Sequence, residues 1–263
     1  MPLRKFRIGD TGEEVYPQFI AALAERLDDP AGDRNLAVRD ALAQIYLGRD
    51  VDLDEMVRDP KVPLATRALV ASFDPRNATL EAEYYREIDQ DKWARNKPLL
   101  WFWQMFDHSP VGRNVRLGVA MRAMLAPRVF RRCGTGVRIF HDVEFSFGYN
   151  LSVGNGVTIH RNVLIDDRGE VVIGDGASIS DYANIYSHSH AVDDIHDVSL
   201  GRTVIGERVR ITYHAVVLSG VTVESDAMVG SMGVASKPIG AGVIAAGIPA
   251  RPIGQKKVVG GGS

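Results

Sequence analysis

Cysteine is almost absent from this chain, which has one thiol, Cys133, in 263 residues. A single cysteine cannot form an internal disulfide and cannot by itself build a zinc site, so a disulfide-stapled fold is excluded. A bystander thiol is a better interpretation of Cys133 than a catalytic nucleophile. The chain also lacks an apolar run of about eighteen residues, the length that a membrane-spanning helix needs. Its net charge is only -2, so nucleic acid is not expected as a main partner.

The amino terminus lacks the basic and then apolar order of a secretion signal. We therefore expect a soluble, cytoplasmic protein. A hydrophobic content of 45% is enough for a sizeable core, and 263 residues allow one or two domains.

Helical periodicity dominates the first half of the chain. Asp33 and Asp52 are candidate caps for two of the helices, and several prolines divide the region into short segments. The sequence predicts a helical amino-terminal domain over residues 1–132 and a repeat domain over residues 133–259. Residues 260–263 are interpreted as a linker tail.

Two segments of the helical half allow more than one interpretation. Residues 113–132 interleave apolar side chains with six arginines. They form either a basic amphipathic helix that contacts a membrane or, as we favour, a core-facing helix with a solvated basic side. The second segment is an aromatic patch that can stack on a ring or, as we favour, form the core of the domain. Its members are Trp93, Trp101, Phe102, Trp103 and Phe106.

A repeat of six residues runs through the second half of the chain. Of thirteen successive steps between its core-type residues, ten are six residues long, two are eight and one is twenty. The positions are Ile139, Phe145, Val153, Ile159, Ile165, Ile173, Ile179, Ile185, Ile205, Ile211, Val217, Val223, Val229 and Ala235. A period of six matches neither a helix nor a single strand, so it indicates short strands that turn a corner and stack on their own copies.

Each hexad opens with a branched aliphatic residue and has Val or Ala at its fifth position, as residues 205–228 show. We expect the first side chain to point into a narrow interior and the fifth to pack beside a corner. Three strands then close one coil, and the segment predicts roughly four to five coils. An antiparallel sandwich is disfavoured, because sandwiches have turn signals about every 8 to 12 residues.

The twenty-residue step between Ile185 and Ile205 carries three of the seven histidines, which are His188, His190 and His196. Clustered imidazoles in a loop indicate either metal ligation or proton transfer. On an extended segment His188 and His190 point to the same side. Zinc needs three converging ligands, whereas proton transfer needs one histidine that reaches a substrate hydroxyl.

Several motifs then occur in a fixed order along the repeat. They are Phe145-Ser-Phe-Gly-Tyr-Asn-Leu-Ser-Val-Gly, Ile165-Asp-Asp, Ile173-Gly-Asp-Gly, Ser187-His-Ser-His-Ala-Val-Asp-Asp and Gly247-Ile-Pro-Ala-Arg-Pro-Ile. Together they resemble the hexapeptide-repeat acyltransferases, in particular the galactoside and maltose O-acetyltransferases and their polysaccharide-modifying relatives. The resemblance covers about residues 139–254. It implies a left-handed parallel β-helix, a homotrimer, and acetyl-CoA bound in the groove between neighbouring subunits.

The resemblance also implies roles for individual residues. His190 matches the family's catalytic histidine, which accepts the proton of the acceptor hydroxyl. A backbone amide near Tyr213, where relatives carry a serine, is expected to stabilise the oxyanion. The positions that match coenzyme A contacts are Tyr213, Ser231, Ser236, Lys237 and Arg251. Asp167 and His160 match acceptor-binding positions, and at His160 the galactoside enzymes carry an asparagine.

The resemblance therefore predicts a CoA-dependent O-acetyltransferase that acts on a sugar or glycan hydroxyl without a metal. Two alternatives remain open on the same scaffold. One is N-acylation of an amino sugar, and the other is a metal-dependent hydratase of the carbonic anhydrase kind that uses histidines at a subunit interface.

Overall fold

The structure, a computed structural model, describes residues 8–256. The chain divides into two compact units, one ending at Ala78 and the other beginning at Thr79. The predicted linker tail, residues 260–263, lies outside the described residues, as do residues 257–259 of the predicted repeat domain. No helix in the described range combines the length and the apolar content that a bilayer crossing requires.

The first unit is built from four short helices. They are α1 (Asp10–Asp28), α2 (Arg34–Leu47), α3 (Leu53–Arg58) and α4 (Leu64–Ser72). Both predicted caps are confirmed, because the Asp33 side chain accepts a hydrogen bond from the Asn35 amide and Asp52 accepts one from Glu55. Such bonds satisfy amide donors that a helix start leaves without intrahelical partners.

Two helices of 18 and 15 residues open the second unit, after a 3-10 turn at Glu81–Tyr84. They are α5 (Gln90–Asp107) and α6 (Val115–Val129). The aromatic patch lies on α5, and Trp103 packs edge-on against Phe145 of the repeat with ring centroids 5.0 Å apart. The core interpretation of this patch is therefore confirmed for its buried members, which are Trp93, Phe102, Trp103 and Phe106.

The apolar face of α6 is also buried, which favours the core-facing interpretation of residues 113–132. One arginine of this segment departs from the expectation of a solvated basic side. Arg122 is only 1% exposed and forms an ion pair with Asp107, the last residue of α5. One of the six arginines of this segment therefore links α6 to α5 inside the protein, through a buried ion pair.

Strands replace helices at residue 132. Within the described residues the strands are β1 (Arg132–Cys133), β2 (Arg138–Ile139), β3 (Glu144–Phe145), β4 (Leu151–Val153), β5 (Thr158–Ile159), β6 (Leu164–Asp166), β7 (Glu170–Ile173), β8 (Ser178–Ile179), β9 (Asn184–Tyr186), β10 (His188–His190), β11 (Val198–Leu200), β12 (Arg202–Ile205), β13 (Arg210–Ile211), β14 (Val216–Val217), β15 (Thr222–Val223), β16 (Met228–Val229), β17 (Val234–Ala235), β18 (Val243–Ala246) and β19 (Arg251–Gln255). The predicted domain boundary at 132/133 falls at this change of structure, but α5 and α6 belong to the same compact unit as the strands.

Three parallel sheets form the faces of a β-helix. The first has the order β1-β4-β7-β12-β15, the second contains β2-β5-β8-β13-β16-β18 and the third has β3-β6-β9-β14-β17. Successive strands of the chain pass from one sheet to the next, as the repeat of six predicts. The expected four to five coils were one too few on the second face, because β18 extends the stack and β19 then pairs with it antiparallel.

Identical hexad positions lie in register from coil to coil. On the second face Ile139 pairs with Ile159, then Ile179, Ile211 and Val229, and all five are fully buried. Burial of one such side chain contributes about 1.5–3 kcal/mol, so the ladder contributes strongly to the stability of this unit. The fifth positions of the hexads in residues 205–228 are buried as well, which confirms the predicted roles of both positions there.

The insertions in the repeat all fall at one corner of the β-helix. The two steps of eight and the step of twenty each lead from the third sheet to the first sheet of the next coil. Two of the three place only two extra residues there. The third extrudes β10 and β11, an antiparallel ribbon that leaves the parallel stack. The histidine loop therefore lies at the same corner as the two shorter insertions, which belong to the two preceding coils.

Candidate active site

The ribbon positions two imidazoles on one side. In its register His188 lies opposite Leu200, and His190 lies opposite Val198. Because side chains alternate along a strand, His188 and His190 share a face, as the sequence predicts. Their rings are nearly perpendicular, at 86°, with centroids 5.1 Å apart.

His190 is exposed, and its ring has a defined hydrogen bond. Its Nδ1 lies 2.5 Å from the carbonyl oxygen of Ile195, on the far side of the loop. A carbonyl only accepts hydrogen bonds, so Nδ1 must carry the proton and donate it. The neutral ring therefore has its lone pair at Nε2, the form that a general base needs.

His188 is held by a carboxylate. Its Nδ1 makes a very short contact with Oδ2 of Asp166, the last residue of β6. Asp166 is 3% exposed, and its Oδ1 accepts hydrogen bonds from Ser146 Oγ at 3.1 Å and the Arg168 amide at 3.2 Å. The amide of Ser187 donates to Oδ2 at 3.3 Å. The carboxylate is thus fixed from several sides, and it fixes the imidazole in turn.

The role of Asp166 was not predicted from the sequence. A signal for it exists in the twenty-residue spacing of Ile165 and Ile185, which places Asp166 in register with Tyr186. The loop therefore begins directly beside this carboxylate.

Both histidines line an open cavity of about 790 Å³. The ribbon forms one side of the cavity, and residues 81–87, which precede α5, form the other. Tyr84 is 80% exposed and contributes an aromatic side chain to this second side. Segment 81–87 lies outside the hexad repeat, and its place beside the histidine loop had no signal in the repeat pattern.

Arg168 joins the two sides of the cavity. Its guanidinium forms a close ion pair with Glu87 and lies 4.0 Å from the centre of the Tyr85 ring. The Tyr85 hydroxyl donates to Glu81 Oε1 at 2.6 Å. Arg168 belongs to the two-residue corner insertion after β6, so this insertion anchors segment 81–87.

The ionisation states of Glu87 and Tyr85, on this second side of the cavity, follow from their contacts. Burial acts to raise the pKa of Glu87, but the hydrogen bond and charge of Arg168 outweigh it, and the pKa lies below its ordinary value. Burial, with the hydrogen bond to Glu81, raises the pKa of Tyr85. At neutral pH Glu87 and Arg168 therefore form a charged pair on this side of the cavity, and the Tyr85 hydroxyl beside them is uncharged.

No family model matches the chain. The chain is 28% identical over 169 residues to galactoside O-acetyltransferase of Escherichia coli (strain K12). The match covers 62% of this chain and 78% of the relative. The chain is 36% identical over 93 residues to nodulation protein L of Rhizobium meliloti (strain 1021), across 34% of this chain and about half (51%) of the relative.

Solved structures agree with these relatives. A galactoside acetyltransferase in complex with coenzyme A matches with a TM-score of 0.53 and 28% identity, over 63% of this chain and 81% of that protein. In sequence and in fold the chain is similar to the hexapeptide-repeat acyltransferases. A maltose O-acetyltransferase from Clostridium difficile 630 matches with a TM-score of 0.58 and 20% identity, over 68% of this chain and 99% of that protein. The predicted fold class, a left-handed parallel β-helix after a helical region, is thereby confirmed.

Two residues predicted to bind the acceptor lie outside the cavity of this acyltransferase. Asp167 is fully buried, and its carboxylate accepts hydrogen bonds from the Phe147 amide at 2.7 Å and the Asn150 amide at 3.2 Å. It therefore fastens the corner of the preceding coil, and its side chain does not reach the surface. His160 stacks on Phe140 with centroids 5.1 Å apart, at a different corner.

The predicted coenzyme A contacts occupy two corners of the β-helix. Tyr213 and Ser231 lie between the second and third sheets, and the Tyr213 ring is 46% exposed. Ser236 and Lys237 follow β17 of the third sheet, at the corner that carries the histidine loop two coils earlier. Arg251 is exposed at the start of β19. One copy of the chain does not gather these residues around His190.

Within residues 8–256 of one copy there is no group of three or more His, Cys, Asp or Glu residues placed to hold a metal ion.

Proposed function

We propose that this acyltransferase transfers an acetyl group from acetyl-CoA to a hydroxyl of a sugar or glycan, with His190 as the general base. The observation that carries the proposal is the bond from His190 Nδ1 to the Ile195 carbonyl, because it leaves Nε2 as the proton acceptor beside the cavity. The relatives named for O-acetylation of galactosides support a sugar as the acceptor.

The proton balance needs only His190. Nε2 takes the proton of the acceptor hydroxyl as that oxygen attacks the thioester carbonyl. The backbone amide of Tyr213 is the proposed donor to the negative charge that develops on the carbonyl oxygen. When the carbon–sulfur bond breaks, the imidazolium returns the same proton to the leaving thiolate. No covalent acyl-enzyme is required.

The residues proposed to hold acetyl-CoA fit its chemistry. Lys237 and Arg251 are exposed cations that can pair with phosphates, and Ser231 and Ser236 offer hydroxyl groups. Acetyl-CoA supplies the activated acyl group when it is bound. Because these residues and the histidine loop occupy more than one corner of a copy, a homotrimer is part of the proposal. A neighbouring copy then brings its Tyr213 corner to the histidine loop.

Release of free thiol from acetyl-CoA, measured over a panel of acceptors, tests this proposal. Methyl hexopyranosides should be acetylated on oxygen and should release one thiol per product. Activity only on amino sugars, with an amide as product, would replace O-acylation by N-acylation. Stoichiometric bound zinc together with CO₂ hydration, and no thiol release on any acceptor, would favour the hydratase and overturn the proposal.

A further inference from the structure

The cavity contains a second imidazole that the proposed proton transfer does not use. His188 lies 5.1 Å from His190 by ring centroids and lines the same cavity. Its side chain is 17% exposed, so it is accessible to a ligand although it is anchored from behind by Asp166. Arg168 and Glu87 face it from the other side of the cavity, and they are paired with each other.

The anchor determines which atom of His188 can meet a ligand. Nδ1 is occupied by the Asp166 carboxylate, so Nε2 is the ring nitrogen that remains for a ligand. When the ring is neutral, Nε2 accepts a hydrogen bond, and when it is protonated, Nε2 donates one. A hydroxyl group both donates and accepts, so it can bond Nε2 of His188 in either state.

Both imidazoles line the same cavity, so an acceptor bound there can contact the two rings together. A hydroxyl on His190 Nε2 is the one that reacts. Hydrogen bonds of about 2.8 Å let two hydroxyls on adjacent carbons reach two rings whose centroids are 5.1 Å apart. Adjacent hydroxyls are the repeated chemical feature of pyranose rings.

We propose that His188, oriented by Asp166, binds the hydroxyl adjacent to the one that is acylated, so that the acceptor is a vicinal diol. This inference rests on the proposed function, since it requires an acceptor hydroxyl at His190. It assigns His188 to recognition of the acceptor and His190 to the chemical step. The Asp166 carboxylate, fixed by Ser146, Ser187 and the Arg168 amide, keeps the His188 ring in place before the acceptor binds.

The role of His188 in recognition is tested by a double-change cycle, in which His188 is replaced in the enzyme and one hydroxyl is removed from the substrate. The probes are a methyl hexopyranoside that the enzyme acetylates and its monodeoxy analogues that each lack one hydroxyl on a carbon next to the acylated position. There are two such analogues for acylation at C3 and one for acylation at C2 or C4. For the wild type, removal of the recognised hydroxyl should lower kcat/KM roughly ten- to a hundredfold. In His188→Ala the same removal should change kcat/KM less than about twofold, because its partner is already gone.

A second variant and a control separate recognition from folding. Asp166→Asn keeps an oxygen that can accept from His188 Nδ1, so its preference for the diol should be reduced but retained. His108→Ala removes an exposed imidazole whose Nδ1 also bonds a backbone carbonyl, that of Gln104 at 2.8 Å, and it should behave like the wild type.

Three results would overturn the inference. If the His188→Ala change lowers kcat/KM by the same factor for the diol and for every deoxy analogue, His188 acts as a base or in folding and not in recognition. If the wild type acetylates the deoxy analogues as well as the parent, no second hydroxyl is bound. If no hexopyranoside is acetylated at all, the proposed function fails and this inference fails with it.

Discussion

Replacement of Arg122 by methionine should strongly destabilise the second unit. Arg122 is 1% exposed and Asp107 4%, and the guanidinium Nε donates to Asp107 Oδ1 at 2.6 Å. Nη2 makes a further short bond to the same oxygen and one of 2.8 Å to the Gly112 carbonyl. Without Arg122, the buried carboxyl keeps only the bond from the Asp142 amide, at 2.8 Å.

The expected loss in the free energy of unfolding follows from the Asp107 carboxylate, which stays buried without its partner. Removal of one member of a buried ion pair costs about 3–5 kcal/mol, since the other charge stays buried without compensation. Total stabilities of domains are only about 5–15 kcal/mol, so the loss is a large fraction. The second change in Arg122→Met/Asp107→Asn removes the charge but keeps an acceptor for the Asp142 amide, and it should recover about 2 kcal/mol.

The pH dependence provides a sign that can be checked. Burial already raises the pKa of Asp107, although Arg122 opposes the shift, and loss of Arg122 should raise it further. A carboxyl with a raised pKa in the fold stabilises the fold at low pH, and this contribution is lost as pH rises through the folded pKa. The stability deficit of Arg122→Met should therefore grow as pH rises above the ordinary pKa of an aspartate, about 3.9.

Urea denaturation monitored by tryptophan fluorescence measures these free energies. Arg131→Met is the matched control, because Arg131 forms an exposed ion pair with Glu170 at 3.1 Å and should cost under about 1 kcal/mol. A deficit in Arg122→Met as small as that of the control, or one that shrinks as pH rises, would refute the reasoning.

Three further predictions concern the β-helix. Ile185→Ala should cost about 2–5 kcal/mol in urea denaturation, because Ile185 is fully buried on the third sheet, between Ile165 and Val217; a cost equal to that of the 40% exposed Leu218→Ala would contradict this. Folding raises the pKa of Asp167 from 3.8 to about 6 through burial, which its backbone hydrogen bonds oppose, so the stabilisation is present below pH 3.8 and lost as pH rises through 6. Relative to Asp167→Asn, the wild type should therefore lose about 3 kcal/mol between pH 3.5 and pH 7.5, and a flat difference would exclude the shift. Gly148→Ala should lower the melting temperature, because Gly148 has φ +74 and a Cβ there would lie 2.6 Å from Val129 Cγ1; an unchanged melting temperature would show that this corner is not tightly packed.

The β-helix could be predicted because every coil repeats the same physical requirement. A narrow interior accepts one branched aliphatic side chain per strand, and this requirement appears as a period of six. Cys133 in β1 lies in register with Val153, but it is not an aliphatic residue, so the repeat pattern missed the first strand. The strand β18 was missed because its core residue, Ala245, lies ten residues after Ala235 and is therefore out of phase with the repeat of six.

Parts of the candidate site depend on tertiary contacts that no period reveals. His190 could be proposed from the loop and from the resemblance. The contact of Asp166 with His188 depends on the register of adjacent coils, and the place of Tyr84 depends on how segment 81–87 docks beside Arg168. Side chains that meet in this way are far apart in sequence, and each is an ordinary polar residue when considered alone.

The most direct test of the proposed mechanism is the turnover number of His190→Ala, measured with saturating acetyl-CoA and an acetylated hexopyranoside. Loss of the general base should lower kcat by roughly 10²–10⁴. The dissociation constant of acetyl-CoA, measured by calorimetry, should stay close to that of the wild type, and His108→Ala should keep the wild-type kcat. A His190→Ala enzyme that turns over at the wild-type rate would contradict the role of this imidazole as the base.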